Sequence, residues 1–375
     1  MVRGATAQIL HILPDSNDAA ARRTAQIIAG VRQGYQHSIV PARPSERDWL
    51  TGVRQDGVRF VSDFPELSGL PLPGRLQRIA EAMLPFDVVV THGYDAMNAA
   101  MARTMFSEGY APPPLIHHEW GDDAAGGALT GRRRDLYRQL ALGRSAALVV
   151  PDETLEGCAL TRWQQPLGRV KRIGEAVDVT AYARQPKADS LPGIIKRRDE
   201  LWIGVVDGSR NSGGIEAALE AVRALPENCI LIWASAGDHP RIVREAAART
   251  GMDDRVHPLA SGGQHARYLG LFDVALVPES GIWPQEAVLG AMAAGLPFAG
   301  QGAAALADFV APENVALLEE PVGQALHDLI SRPDLRQQLG EANRRRAAAE
   351  FDLGRLAATY RRLFDSAIAQ TPRKR

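Results

Sequence analysis

Short strand-like runs punctuate the chain. In the first half they are Gln8 to Leu13, Asp87 to Thr91, Leu115 to His117, Ala147 to Val150 and Arg169 to Val177. In the second half they are Leu201 to Val206, Ile230 to Ala234, Val256 to Pro258 and Val274 to Val277. Most are apolar throughout rather than alternating, which predicts strands buried on both faces, as in a parallel sheet. The intervening stretches predict helices. One runs from a cap at Asp15 or Ser16 to about Gly30, another starts near Asp95, and an amphipathic one covers Gly131 to Gly143. Others fall at Ile215 to Leu225, Pro240 to Thr250 and, briefly, Gln264 to Gly270. The clearest unit is Asp273 to Gly300, which reads as strand, loop, helix, turn and strand. Pro284 suits the first turn of its helix, Glu286 complements the helix dipole there, and Gly295 followed by Pro297 ends it. Three helices close the pattern: Gly323 to Ile330, Leu335 to Glu350 and Leu353 to Ala369.

Alternating strand and helix implies α/β architecture with right-handed crossovers. There are two such series. Between them, Tyr182 to Glu200 holds Pro186, Pro192 and Lys196-Arg197-Arg198 with little periodicity, so a linker is expected there. A length of 375 residues fits two domains. The expected organisation is two doubly wound Rossmann-like domains facing a cleft, residues 1–182 and 201–352, joined by a linker at 183–200.

Composition narrows the function. A net charge of −1 gives no global field towards nucleic acid or membrane. The N-terminal apolar run is too short for a secretory signal, and no run approaches the ~20 residues needed to span a bilayer. A cytoplasmic protein with reduced thiols at Cys158 and Cys229 is expected. His118, Glu119, Asp122 and Asp123 cluster in sequence, but their spacing matches no zinc pattern, so no metal is expected. The arginines of Gly131 to Gly143 read first as the solvated face of a helix whose Leu136, Tyr137, Leu140 and Leu142 pack inward. The sharper reading is a patch that touches anionic lipid, at the inner face of the cytoplasmic membrane.

Ligands of open parallel sheets bind beyond the carboxyl ends of strands. Two loops qualify. Asp207 to Gly214, DGSRNSGG, is a glycine-rich strand-to-helix turn with Gly208, Ser209, Arg210 and Asn211 as phosphate donors. It has neither Walker nor dinucleotide spacing. The other runs from Glu279 through Ser280 and Gly281 to Glu286.

Several segments carry a resemblance. LGAMAAGLP (Leu289 to Pro297) is similar to the LEAMAAGLP segment of retaining nucleotide-sugar glycosyltransferases of family 4. ILHILP, LIHHEWG, RVKRIGEAVD, AGDHP and FDVALVPES match other segments of that family in the right order. The resemblance implies the GT-B fold, with residues 353–375 crossing back onto the first domain. It also implies transfer of a sugar from a nucleotide-diphosphate sugar to a glycan or lipid-linked acceptor, without a metal, in bacterial surface polysaccharide synthesis. A protein partner in such a pathway is a further expectation. His118 would contact the donor sugar. The family's departures are equally specific. Ala19-Ala20 replaces Gly-Gly, Gly208 and Gly213 stand where Arg and Lys do, and Ile282 and Gly290 replace the two glutamates at E-x7-E spacing. The second of those glutamates normally holds the ribose. Arg210, Glu279 and Glu286 lie close by and are the expected replacements, with His118, Glu279 and Glu286 in the catalytic roles. The alternative is a non-catalytic GT-B scaffold that has lost its donor site.

Overall fold

The computed structural model describes residues 6–13, 18–41, 58–121, 128–207, 214–235, 239–260, 264–278, 283–300 and 306–370. The chain forms two compact units: Met1–Glu175 with Gly354–Arg375, and Ala176–Leu353.

The first unit holds β1 (Ala7–Ile12), α1 (Asp18–Gly30), β2 (Tyr35–Val40), β3 (Val58–Phe60), α2 (Pro73–Met83), β4 (Val88–His92), α3 (Met97–Met105), β5 (Leu115–His118), α4 (Ala128–Ala141), β6 (Ala147–Val150), α5 (Glu153–Thr161) and β7 (Val170–Arg172). Its strands pair in the order β3-β2-β1-β4-β5-β6-β7, all parallel. Alternation sorts the side chains to two faces. Leu10, Ile12, Val89, Leu115 and Leu148 pack with Leu76, Ile79 and Met83 of α2 and Ala99 of α3. The opposite face carries Leu13 and Ile39 against Ala20 and Ile28 of α1.

The second unit holds β8 (Leu201–Asp207), α6 (Ile215–Arg223), β9 (Cys229–Ser235), α7 (His239–Thr250), β10 (Val256–Ala260), β11 (Val274–Val277), α8 (Gln285–Ala294), β12 (Phe298–Gly300), α9 (Pro312–Glu319), α10 (Val322–Ser331) and α11 (Pro333–Glu350). Its order is β10-β9-β8-β11-β12, again parallel throughout. Cys229, Leu231 and Trp233 of β9 face α6, α7 and α10, while Ile230, Ile232 and Ala234 join the core beneath α8. Gly295 caps α8 at φ +80°, the left-handed geometry expected of a terminating glycine. β12 is an edge strand. Asn314 covers its free side, accepting from Phe298 N and donating to Phe298 O, both at 2.8 Å. Asn343 completes the clasp by donating to Asn314 Oδ1 and Leu296 O and accepting from Ala311 N.

The final helix, α12 (Leu353–Ala369), belongs to the first unit from Gly354 onward. Ala357 packs on the end of α1, where a Cβ at Gly30 would stand 2.6 Å from the Ala357 Cβ. The Tyr35 hydroxyl donates to Asp365, and Arg361 Nη1 donates to Gln33 O at 3.0 Å.

Several details depart from the sequence pattern. The strand expected over Arg169 to Val177 is β7, Val170–Arg172, because the Ile173 and Gly174 carbonyls turn to the Arg23 guanidinium. Gln264 to Gly270 forms separate 3-10 turns at His265–Arg267 and Leu269–Leu271. Residues 183–200 pack within the second unit: Leu191 is buried in its core, and Lys196 Nζ donates to Asp273 Oδ2 and Leu271 O, both at 2.6 Å. On α4, Leu136 and Leu140 are 57% and 55% exposed, whereas Arg138 is wholly buried. Of the expected inward face, Tyr137 and Leu142 do pack against the core, and Arg138 takes the place beside them instead of Leu136 and Leu140.

The Asn314 clasp makes a prediction. Asn314→Leu leaves both Phe298 backbone groups unpaired at the sheet edge and should cost at least about 2 kcal/mol. An unchanged urea midpoint would refute this role.

Candidate functional site

The strand order reverses between β8 and β11 in the second unit, so its ligand crevice is expected at their carboxyl ends. Gly208, Ser209, Arg210, Asn211, Glu279, Ser280 and Gly281 follow those strands but lie outside the described residues, as do Gly213, Ile282, Asp122 and Asp123. Glu286 is described. It stands half-buried in the first turn of α8. One turn further on, Gly290 faces Tyr182. A Cβ built at Gly290 would lie 2.5 Å from the Tyr182 hydroxyl and 3.1 Å from Leu269 Cδ1. The place of the resembled family's ribose glutamate is thus filled by a phenol brought from 108 residues earlier in the chain (290 less 182). Burial pushes that phenol up to about 12, with Tyr268, Glu286 and Asp178 adding to the shift, so it is a neutral hydroxyl. His265 is buried nearby and pushed down by that burial, with Glu286 opposing. Sequence reasoning missed Tyr182, Tyr268 and His265. Only their surroundings mark them: Glu286 acts on Tyr182 and His265, and the Tyr268 ring lies 5.9 Å from that of His265.

The first unit reverses its strand order between β1 and β4. There the sheet face under α1 and α12 carries His11, His37, His92 and His118, all buried. Register explains their alignment, since His92 pairs directly with His118 and their rings stack at 4.5 Å. His11 lies 5.2 Å from His37 and 6.5 Å from His92, centroid to centroid. Hydrogen bonds fix part of the protonation pattern. The Val31 carbonyl, 2.8 Å from His37 Nε2, can only accept, so that nitrogen carries the proton. His37 Nδ1 then accepts from His11 Nε2 at 2.9 Å. Thr24 Oγ1 approaches His92 Nε2 at 3.2 Å, and Tyr360 OH approaches His118 Nε2 at 2.8 Å. Burial pushes all four imidazoles below their ordinary range, and neighbouring histidines or arginines add to this at each. They are neutral. His118, which the resemblance would place at the donor sugar, is 1% exposed and held among the rings of His92, Trp120 and Tyr360.

On the opposite face, Glu119 is buried beside Arg138 of α4, with Nε 2.7 Å from Oε2, and His117 lies 3.6 Å away. Burial raises this carboxyl, but the His117 and Arg138 contacts outweigh it and hold the group at about 2. The Arg138 guanidinium also stacks 4.9 Å from the Tyr94 ring centre and 4.8 Å from that of Trp163. This pair explains why α4 turns an arginine inward.

Beyond the carboxyl ends of β1, β2 and β4 lies a cavity of about 830 Å³. Leu13, Phe64, Leu67 and Leu70 form apolar wall, Tyr94 and Tyr137 supply aromatic faces, and Asp95 and Arg133 bring charge. Asn98 builds its rim, donating to Leu67 O at 2.6 Å and Gly69 O at 3.0 Å while accepting from Tyr137 OH. Among the described residues no group of His, Cys, Asp and Glu converges to hold a metal ion, and no helix is long and apolar enough to cross a membrane.

No protein-family model and no curated protein matches this chain. Solved structures do match. HepE of Anabaena in complex with UDP is 15% identical, covering 96% of this chain and 100% of that one at a TM-score of 0.70. A glycosyltransferase from Rickettsia africae is 12% identical over 97% and 99%, at 0.72. A UDP-N-acetylglucosamine 2-epimerase is 14% identical over 95% and 94%, at 0.58. The likeness gives the fold: two Rossmann-like units of the GT-B class.

Two predictions arise. The histidines have folded values below their unfolded ones, so the unfolded chain binds more protons. Their contribution to stability is complete above about 6.5 and is lost as the pH falls below it, by up to about 1.4 kcal/mol per pH unit for each group titrating. Glu119 contributes only above its ordinary carboxylate range, and its share is lost towards about 2, so it adds a second, more acidic step. Urea unfolding between about pH 8 and pH 5 reads the first step, and a flat midpoint would refute it. Second, Gly290→Glu should destabilise the chain by about 1–3 kcal/mol through overpacking against Tyr182. Adding Tyr182→Ala should relieve part of that loss, and independent effects would sink the assignment.

Proposed function

We propose that this protein is a glycosyltransferase that moves a sugar from a nucleotide-diphosphate sugar to a glycan or lipid-linked acceptor. The observation that carries the reading is the end-to-end fold likeness to HepE, which was solved with UDP and with UDP-glucose. The nucleotide would sit at the carboxyl ends of β8 and β11, where the sheet order reverses. Arg210 is the proposed charge partner of the leaving diphosphate, assisted by donors at Gly208, Ser209, Asn211, Ser280 and Gly281 and by helix N-termini. Glu279 and Glu286 would accept sugar hydroxyls. With a glycine at position 290, a ribose has no carboxylate there, and the Tyr182 hydroxyl takes that place.

The first unit would bind the acceptor in its 830 Å³ cavity. An aromatic and apolar wall with Asp95 and Arg133 at its border suits an amphiphilic glycan carrier. Exposed Leu136 and Leu140 beside Arg132 and Arg133 on α4 support contact with an anionic membrane surface. We infer a retaining mechanism, a role in surface polysaccharide synthesis and no need for a metal.

Calorimetry against UDP-, GDP- and dTDP-sugars tests the reading. Arg210→Ala should weaken donor binding by about ten- to a hundredfold, the loss of one charge-assisted contact of ~1.5–3 kcal/mol. EDTA should leave turnover unchanged, and product and donor should share anomeric configuration by NMR. A wild-type chain that binds no nucleotide sugar at millimolar concentration would instead favour a scaffold.

A further inference from the structure

His118 is a point where α12 meets the sheet of the first unit. Its Nε2 lies 2.8 Å from the hydroxyl of Tyr360, which is itself wholly buried. The two rings stand 5.6 Å apart, centre to centre. The other histidines of this face bond elsewhere. His92 meets Thr24 of α1, and His11 meets His37, whose other nitrogen meets the Val31 carbonyl. The Tyr360 oxygen also accepts from Arg23 Nη1 at 3.3 Å. A guanidinium cannot accept, so the phenolic hydrogen is left for His118 Nε2.

Nothing around His118 compensates a second positive charge. Arg23 of α1 reaches the same hydroxyl, His92 of β4 stacks on the ring at 4.5 Å, and the Trp120 ring lies 6.1 Å away. Burial opposes a proton on His118, and His92, Arg23, His117 and His11 add to it. The nearby carboxylates are engaged elsewhere. Glu175 lies 3.8 Å from Arg23 Nη2, Glu119 on the opposite face holds Arg138, and Asp365 of α12 accepts from Tyr35. Among the described residues none pairs with His118. Protonation would also put a donor at Nε2, facing an oxygen that already accepts from a cation. Arg23 is held without α12, by the Ile173 and Gly174 carbonyls, Glu175 and the Trp120 ring. The element that can give way is α12. Besides Tyr360, its polar ties run from Arg361 to the Gln33 carbonyl and from Tyr35 to Asp365. Lifting it uncovers Leu356 and Phe364, which keeps it docked while His118 is neutral.

We propose that His118 and Tyr360 form an acid-released latch: proton uptake by His118 lifts α12 off the sheet face of the first unit while the sheet beneath stays folded. The direction follows from linkage. Docked, His118 is held below its ordinary range; lifted, it is hydrated and returns to about 6.5. The lifted state therefore binds the extra proton, and its population grows as the pH falls below about 6.5, by roughly tenfold per unit. The sheet is spared because the bonds of His92, His11 and His37 run to α1, to the turn after it and to each other rather than to α12. The latch concerns the first unit alone and does not depend on the glycosyltransferase reading.

The test is hydrogen exchange of the full chain, read by mass spectrometry between about pH 7 and pH 5.5, with each rate divided by the intrinsic rate at that pH. This range lies above the ordinary carboxylate range, so histidines are the groups that titrate in it. Protection of α12, followed in peptides from 354–369, should fall roughly tenfold across the range, whereas peptides holding β4 and β5 should keep theirs. His118→Gln retains an acceptor for the Tyr360 hydroxyl but takes up no proton, so its α12 should be insensitive to pH. Constant α12 protection in wild type overturns the proposal. A loss shared equally by β4 and β5 also overturns it, because the whole sheet is then unfolding. An unchanged pH dependence in His118→Gln overturns the assignment to His118. Where His118→Gln does not fold, the wild-type comparison of α12 with β4 and β5 decides alone.

Discussion

Arg23 is the constraint on which the first unit depends. Its guanidinium is fully buried, and a buried charge costs several kcal/mol unless it is paired and hydrogen-bonded, which here falls to Nη1 and Nη2. Its partners come from parts of the unit far apart in sequence: the Ile173 and Gly174 carbonyls after β7, the Trp120 ring after β5 and the Tyr360 hydroxyl on α12. One side chain therefore fixes where the sheet stops, where the last helix lies and how His118 is held. The second unit has no such buried cation among its described residues, and its edge is clasped by the neutral amides Asn314 and Asn343 instead.

Much of the fold was legible in the pattern of residues. The strand at Val274 to Val277 and the helix at Leu353 to Ala369 coincide with the observed elements, because each is apolar or amphipathic in its own right. β2 was not legible. Its Tyr35-Gln36-His37-Ser38 run is polar in composition, and His37 is buried with the Val31 carbonyl and His11 satisfying its ring nitrogens. α4 misled for the same reason in reverse. Periodicity weighs Leu136 and Leu140, but Arg138 has a carboxylate partner 19 residues away at Glu119, and a paired charge with two aromatic faces wins the interior.

The site divides along similar lines. His118 was found through a resemblance at a strand end, while its burial and its phenolic partner on α12 depend on contacts that no local sequence carries. At position 290 the sequence announces a loss, a glycine where a glutamate is usual. The space is nonetheless occupied, since Tyr182 leans into it. A missing residue type in sequence is not a hole in structure, and the replacement can come from a segment that reads as featureless linker.

The contact between Arg23 and Tyr360 spans 337 positions of chain. During synthesis at ordinary rates, roughly 15–70 s separate the appearance of the two residues. Throughout that interval the nascent sheet holds an arginine whose burial is incomplete and a face of four histidines with no α12 above them. The first unit, although encoded first, is finished last. A nascent chain paused before residue 360 should thus present this face to chaperones, while Ala176–Leu353, continuous in sequence, has all of its own strands and helices and can close without waiting.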